Sequence, residues 1–353
     1  MPRAPPSPDI TRGFRHNITA VFRSKLAPLN IAIAVIGVAL LIFTVERVGG
    51  WRAAVDGVTS VGWWFILVVI IGAARMGCRA GAWIACVQPS GSGHREPGAG
   101  RLSFGQAFSA VLAGDTAGNL TPLGVFASEP TKILMTRAQL STVASIASVA
   151  IENAFYTASV LGVLLAGTWL FLQRAAVPAG LEQLAEGILG LIVMAAVIAL
   201  WAARTRPAVL SRLAPVVARL AGRSNAPADA VKEVESRIYG VLQWPASRIL
   251  RVIAWDVLFH CLAVAEVWMV MRLLPGGDSI TIVDAFLMES AGRFVTVAFK
   301  FVPYRLGIDE AGSGAVAQVL GLGAAMGVTL ALVRRLRIIV LNAFGLLKLV
   351  HGR

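Results

Sequence analysis

The sequence alternates long apolar runs with shorter polar segments. A helix needs about 20 mainly apolar residues to cross the hydrocarbon core of a bilayer. Six runs approach or exceed that length, and a shorter apolar run near the end is compatible with one more tilted helix. The long runs cover 29–45, 61–87, 142–172, 185–203, 250–273 and 314–333, and the short one covers 338–350. The pattern predicts an all-α polytopic membrane protein with about six to seven transmembrane helices.

Two further apolar segments, 104–130 and 283–312, are interrupted by residues that break helices. The interrupting residues are Pro122 and Gly124 in the first segment, and Pro303 and Gly307 in the second. Proline removes an amide donor and glycine permits a tight turn. Irregular backbone at membrane depth is tolerated only where it is buried in protein or lines a wet cavity. We therefore expect each segment to be a re-entrant hairpin.

The distribution of basic residues predicts the orientation. Arginine and lysine are concentrated in the polar, proline-rich arm 1–28 and in the linker 204–249, whereas the loops 46–60, 173–184 and 274–281 hold three arginines in total. Cytoplasmic segments carry the excess of positive charge. The arm, expected to be disordered, and the linker are therefore placed in the cytoplasm, and the three loops outside. We expect a multi-pass protein of the cell inner membrane with a cytoplasmic N-terminus.

This orientation makes 104–130 leave from and return to the cytoplasm. If Arg334, Arg335 and Arg337 mark a cytoplasmic helix end, 283–312 enters and leaves from the outside. The chain then divides into two membrane halves, 29–203 and 250–353, each with one hairpin.

The two hairpins share sequence features. Each begins near an Ala-Phe pair, and in each a glutamate follows a proline after seven residues, with a glycine between them. The matched residues are Ala107-Phe108, Pro122 and Glu129 in one, and Ala285-Phe286, Pro303 and Glu310 in the other. Similar content with opposed entry is the inverted-repeat arrangement of many transporters.

Three stretches carry a family resemblance: "NLTPLGVFASEPTKILMTR", "SVAIENAFYTASVLGVLL" and "FVPYRLGIDEAGSGAVAQVLGLGAAMGVTLALVRRLRI". Together they resemble the flippase-like membrane region of lysylphosphatidylglycerol synthases, whose stand-alone members include hopanoid-associated membrane proteins. The resemblance covers about 30–350, although "PLGVFASE" and "PYRLGIDE" lack the Gly-Gly pair that family members generally show. It implies lipid handling or translocation. We expect the soluble aminoacyl-transferase domain, and hence lipid aminoacylation, to be absent.

Ionisable side chains inside apolar segments are costly, so each is a candidate for function. Arginine and lysine suit a lipid phosphate, and a carboxylate suits an amine or a coupled proton. At Arg79, Arg293 and Glu266 a structural ion pair is as good an interpretation as a functional one. The predicted substrate-binding residues are Asn119, Pro122, Gly124, Glu129, Lys132, Glu152, Arg293, Pro303, Arg305, Gly307, Asp309 and Glu310.

Composition narrows the function classes. The 353 residues are 57% hydrophobic and carry a formal net charge of +13. That charge is typical of basic cytoplasmic loops facing anionic lipid, and no nucleic-acid-binding pattern accompanies it. The sequence shows no metal-ligand spacing, nucleophile motif or phosphate-binding loop, so neither a metal, a cofactor nor an intrinsic ATPase is expected.

The leading hypothesis is a lipid flippase or transporter that moves a phospholipid or other polar-headed membrane lipid between leaflets. We expect a charged headgroup and a central cavity bordered by the charged hairpin residues. Two alternatives stay open at this point. One is a membrane-embedded enzyme acting on lipid or peptide, and the other is a scaffold for lipid-modifying enzymes that transports nothing. The glycine-rich helix "GSGAVAQVLGLGAAMG" allows close packing within one chain or in a homo-oligomer.

Overall fold

The computed structural model describes residues 38–47, 50–87, 101–121, 125–174, 228–299, 302 and 305–351, with scattered residues between 183 and 212. Within these residues every regular element is a helix, which confirms the all-α prediction. Residues 38–47 are helical. The helices that follow are α1 (Gly50–Val61), α2 (Phe65–Cys86), α3 (Phe104–Leu120), α4 (Val125–Met135), α5 (Thr142–Arg174), α6 (Ala228–Tyr239), α7 (Ala246–Leu273), α8 (Ile282–Ala298), α9 (Ile308–Val319) and α10 (Ala324–His351).

Three described stretches are long and apolar enough to cross a membrane: Gly50–Cys86, Thr142–Gln173 and Ala246–Leu273. They contain α1 with α2, α5 and α7. Helix α10 is also long, with 28 residues, but three arginines interrupt its apolar sequence near the middle. Large apolar side chains on these helices, such as Trp169 and Leu250, are exposed in the way that lipid-facing residues are. The chain is a helical membrane protein, and the total of six to seven crossings stays a prediction.

Both broken segments form helical hairpins. In the first, α3 packs against α4, and a methyl group added at Gly114 would lie 2.8 Å from Lys132 Cγ. In the second, α8 packs against α9, and a methyl group added at Gly312 would lie 2.9 Å from Val295 Cγ2. In each pair the contacting residues are nearly equidistant from the break, so the limbs are antiparallel.

The entering limbs α3 and α8 begin with the same N-terminal motif. Ser103 and Gln106 form a capping box, and Thr281 and Asp284 form another. Each cap satisfies amide donors that a helix start otherwise leaves open. Both helices have 17 residues, and the buried alanines Ala107 and Ala285 each lie four residues after the cap. The Ala-Phe pairs therefore occupy equivalent positions in the two limbs.

The halves repeat one order of elements: a long helix, a capped 17-residue helix, a short helix of 11 or 12 residues and another long helix. The first long helices, α2 and α7, pack side by side in opposite directions. Arg75 contacts Glu266, whereas Arg248 near the start of α7 binds the carbonyls of Ala85 and Val87 at the end of α2. The last long helix of each half crosses to the other half, so that α5 packs on α8 and α10 on α3.

Three sequence interpretations are wrong. The run 314–333 is not one helix, because a turn at 320–323 separates α9 from α10. Gly321 and Gly323 both have positive φ there, a conformation that favours glycine. The short run 338–350 is the second part of α10. The predicted loop 46–60 contains helix α1.

Other predictions fall largely outside the described residues. These are the arm 1–28, the beginning of the run 29–45 and about half of the run 185–203. Within the linker 204–249, the structure describes α6, which packs against α5 and buries Val234 and Glu235.

Candidate functional site

Six ionisable residues from four helices form a buried cluster where the halves meet. We call it the central cluster: Arg75 of α2, Glu266 of α7, Glu289 and Arg293 of α8, and Arg334 and Arg337 of α10. Glu266 and Glu289 are fully buried. Every member lies on a helix, where the backbone amides and carbonyls bind one another. The charged side chains therefore find their partners among themselves.

Glu266 is bound by arginines from both halves of the chain. The Nη1 of Arg75 donates to Glu266 Oε2 at 3.0 Å, and Arg337 Nη1 contacts both carboxylate oxygens. Arg334 Nε lies 3.9 Å from Oε1. A methyl group at Gly72 would lie 2.6 Å from Arg337 Cδ, so the absence of a side chain there gives Arg337 its path to Glu266.

Glu289 binds a second set of guanidinium groups. Arg293, one turn further along α8, donates from Nε to Oε1 at 2.8 Å, and Arg334 donates to Oε2 at 2.7 Å. The Nη2 of Arg75 lies 3.9 Å from Oε1. Arg75 and Arg334 thus each reach both carboxylates and join the two ion-pair groups into one network.

Aromatic side chains complete one wall of the central cluster. The guanidinium groups of Arg75 and Arg293 lie 4.8 and 4.9 Å from the centre of the Phe259 ring. Arg293 also donates to the hydroxyl of Tyr156 at 2.9 Å. Cations over aromatic faces gain electrostatic energy without a counter-ion.

Two arginines of the central cluster lie well inside their helices. Arg75 is the eleventh of the 22 residues of α2, and Arg334 the eleventh of the 28 residues of α10. At 1.5 Å per residue, Arg75 is about 15 Å from either end of α2.

A second buried pair extends the charged layer along α2. Arg79, one turn after Arg75, binds Glu152 of α5 at 2.5 Å and Asn153 at 3.1 Å. Its guanidinium lies 3.7 Å from the centre of the Tyr156 ring. The predicted site residue Glu152 is therefore held by an arginine, and Tyr156 connects this pair to the central cluster.

The second hairpin carries its own ion pairs. Arg305 donates to Asp309 at 3.1 Å, whereas Glu310, fully buried, pairs with Arg335 of α10 at 2.5 Å. Arg335 also donates to the carbonyl of Arg305. Arg305 has a φ of 47°, which is uncommon for a residue with a side chain and indicates local strain beside the charged residues. Gly307 has a φ of 76°, in agreement with the predicted tight turn.

The first hairpin is less tightly connected. Lys132 Nζ lies 3.2 Å from both oxygens of Glu129, as the spacing of three residues predicts. Asn119 donates to Asp115 at 3.1 Å and to Asn342 of α10 at 3.4 Å, which links the hairpin to the other half. Glu129 and Glu310 therefore differ: one pairs within its own helix, and the other with α10.

Comparison with known proteins gives one result. A family model described as "Lysylphosphatidylglycerol synthase TM region" matches residues 29–345. The chain belongs to this family. No curated protein and no solved structure matched it.

In this member of the lysylphosphatidylglycerol synthase membrane-region family, three predicted site residues cannot be placed. Pro122, Gly124 and Pro303 lie outside the described residues. The other predicted residues fall into three groups: Arg293 in the central cluster, Glu152 beside it, and the remaining ones on the two hairpins.

The interpretation of Arg334, Arg335 and Arg337 as a cytoplasmic helix end is wrong. All three are ion-paired in the middle of α10. Two of the arginines are adjacent and the third follows two residues later, so they point to different sides of α10. Arg337 contacts Glu266, and Arg335 contacts Glu310 of the second hairpin. The sequence did contain a sign of this buried cluster. The three arginines lie in an otherwise apolar stretch, and Glu266 and Glu289 are likewise charged residues within the apolar helices α7 and α8. Charge counting assigned the arginines to a helix end because it cannot distinguish a snorkelling cation from a buried one.

Proposed function

We propose that this protein translocates polar-headed lipids between the leaflets of the cell inner membrane, with its N-terminus in the cytoplasm. The observation that carries the proposal is the central cluster, a network of six charges inside the helical bundle and between two repeated halves. Charges at that depth are expensive, and in membrane proteins they mark pathways for polar substrates. A polar headgroup that crosses the core needs such partners in place of water.

The architecture supports a moving interface. The two halves repeat one order of elements, their first long helices are antiparallel neighbours, and their last long helices cross over. In transporters with inverted repeats, one repeat moves as a rigid body against the other around a substrate site near the midplane of the bilayer. We propose that the hairpins 104–130 and 283–312 enter the membrane from opposite faces and border the headgroup path.

The family supports a lipid substrate. The family is named for the synthase of a lipid, lysylphosphatidylglycerol. The chain matches the membrane region of that family over most of its length, so a role in handling membrane lipid follows more directly than a role in peptide or ion transport. We propose membrane lipids as its partners.

Reconstitution tests the proposal. The purified protein is placed in liposomes with fluorescent lipids in both leaflets, and a membrane-impermeant quencher reports the fraction in the outer leaflet. We expect more than half of the label to become accessible in protein-containing liposomes, and only the outer half in protein-free liposomes. Folded protein that leaves every lipid in place contradicts translocation. A product of altered lipid mass in the same samples indicates the enzyme alternative instead.

A further inference from the structure

The central cluster holds more positive than negative charge. Its four arginines are Arg75, Arg293, Arg334 and Arg337, and its only carboxylates within 4 Å of them are those of Glu266 and Glu289 among the described residues. Guanidinium groups stay protonated in proteins, and carboxylates held between them stay charged. The cluster therefore carries two positive charges in excess.

The neighbouring carboxylates do not offset this excess, because they are matched to other cations. Glu152 pairs with Arg79, Glu310 with Arg335, and Asp309 with Arg305. Asp256 is buried on α7, but it precedes Glu266 by ten residues. Ten residues of helix separate the two positions by about 15 Å along the axis.

Among the described residues, three arginine donors inside the cluster make no hydrogen bond. One of them, Arg293 Nη2, still lies 2.8 Å from Glu289 Oε1 as an ion pair. The other two, the Nε atoms of Arg75 and Arg337, have no acceptor. The residues are only 5% and 7% exposed, so water does not serve them freely. An uncompensated buried charge costs several kcal/mol, and a buried donor without an acceptor adds to that cost. The Phe259 face and the Tyr156 hydroxyl contribute partial charges and cannot balance two full ones.

We infer that the central cluster is a binding site for a phosphate group with two negative charges, of the kind that a phosphomonoester headgroup carries. This inference rests on the proposed function and names its substrate class. Phosphomonoesters carry between 1.5 and 2 negative charges at about neutral pH, whereas a phosphodiester carries one. Arginine forks match phosphate oxygens in geometry, so a bound phosphate supplies acceptors to the free Nε donors as well as charge. Glu266 and Glu289 hold the arginines in place when the phosphate is absent.

The first test uses the native protein in detergent. The probes are inorganic phosphate and short-chain forms of phosphatidic acid, phosphatidylglycerol and phosphatidylcholine, and the readout is affinity by calorimetry. We expect phosphatidic acid to bind best and phosphatidylcholine worst, with steps on the order of tenfold for each unit of headgroup charge. A preference for phosphatidic acid over inorganic phosphate assigns the site to a lipid headgroup, and comparable binding assigns it to the phosphate group alone. Equal binding of phosphatidic acid and phosphatidylcholine overturns the inference. So does a protein that binds neither inorganic phosphate nor phosphatidic acid.

Two variants with opposite effects on the charge separate an anion site from a purely structural network. Glu289→Gln raises the excess charge and should tighten binding of phosphatidic acid on the order of tenfold, whereas Arg334→Gln lowers it and should weaken binding by a similar factor. Arg334 is the most exposed of the four arginines, with a side chain 19% accessible, so its removal is the best tolerated. Glu233→Gln, in the exposed Glu233–Arg237 pair of α6, is the control and should leave affinity unchanged. Parallel losses in Glu289→Gln and Arg334→Gln contradict the inference.

The liposome assay separates failure of this inference from failure of the proposed function. Translocation without preference between phosphatidic acid and phosphatidylcholine removes the anion site and keeps the transporter. Charge-dependent binding without translocation keeps the anion site and removes the transporter.

Discussion

Arg75 and Glu266 join the two halves of the chain by a hydrogen bond of 3.0 Å between side chains that are nearly or fully buried. The residues lie 191 positions apart in sequence, on the antiparallel helices α2 and α7. Around this bond are two excess positive charges inside the helical bundle. A protein needing only a rigid core could fill this position with apolar side chains at no loss of stability. The charges are therefore better explained by a polar substrate than by stability.

The first prediction concerns the cost of opening this network. Glu266→Gln leaves Arg75 and Arg337 without their carboxylate, and breaking a buried pair in this way destabilises by about 3–5 kcal/mol. Glu233→Gln breaks an exposed pair of the same chemistry and should cost about 0.3–0.5 kcal/mol. Thermal unfolding in detergent measures both. Equal unfolding temperatures for the two variants would show that the network is not held as described.

The second prediction concerns the path of Arg337 beside Gly72. Gly72→Ala places a methyl group 2.6 Å from Arg337 Cδ, and overpacking of this kind costs about 1–3 kcal/mol. Gly162→Ala is the matched control, because Gly162 is also helical but exposed, with nothing within 4 Å of an added methyl group. Thermal unfolding should show a loss for Gly72→Ala and none for Gly162→Ala. A loss of the same size in both would mean that helix geometry, not Arg337, is responsible.

The third prediction distinguishes Glu129 from Glu310, the two glutamates that occupy matching positions in the sequence repeat. Glu310 is fully buried against Arg335, whereas the Glu129 side chain is 24% exposed and pairs within its own helix. Glu310→Gln should reduce lipid translocation in liposomes at least tenfold more than Glu129→Gln, since a buried charge-assisted bond is worth more than an exposed one. Equal losses would favour equivalent roles for the two hairpins.

The fourth prediction concerns the topology of the first hairpin. Gly105 is an exposed residue in the first turn of α3. Arg137 is an exposed residue just after the end of α4. In a background without the native cysteines, Gly105→Cys and Arg137→Cys should both react with an impermeant thiol reagent from the cytoplasmic side. Ser279→Cys, in the predicted outer loop, should react only from the other side and serves as the control. Labelling of Gly105→Cys and Arg137→Cys from opposite sides would exclude a re-entrant hairpin.

The repeated architecture was accessible from the sequence because it rests on local features. Prolines and glycines predicted the breaks, and the Ala-Phe pairs predicted the register that the capping boxes at Ser103 and Thr281 share. The pairing of Glu129 with Lys132 also followed from helical spacing alone.

The central cluster was not accessible in the same way, since its members come from four helices far apart in sequence. Periodicity identifies a charge inside an apolar run but not the helix that supplies its partner. Glu266 was noted without a partner, and Arg337 was assigned to a helix end, although the two contact each other in the structure. Choosing between a snorkelling and a buried arginine requires the packing of α10 against α2, which Gly72 permits.

The measurement that tests the central claim most directly is lipid translocation by Glu266→Gln and Glu289→Gln in liposomes, beside native protein and Glu233→Gln. Size-exclusion chromatography first selects folded protein for each variant. We expect native protein and Glu233→Gln to equilibrate the labelled lipid between leaflets at similar rates. Both cluster variants should lose at least nine-tenths of that rate, an effect on the order of 1.4 kcal/mol or more, because arginines without their carboxylate hold the headgroup more tightly and release it more slowly. Folded Glu266→Gln and Glu289→Gln that move lipid at the native rate would contradict a headgroup path through the central cluster.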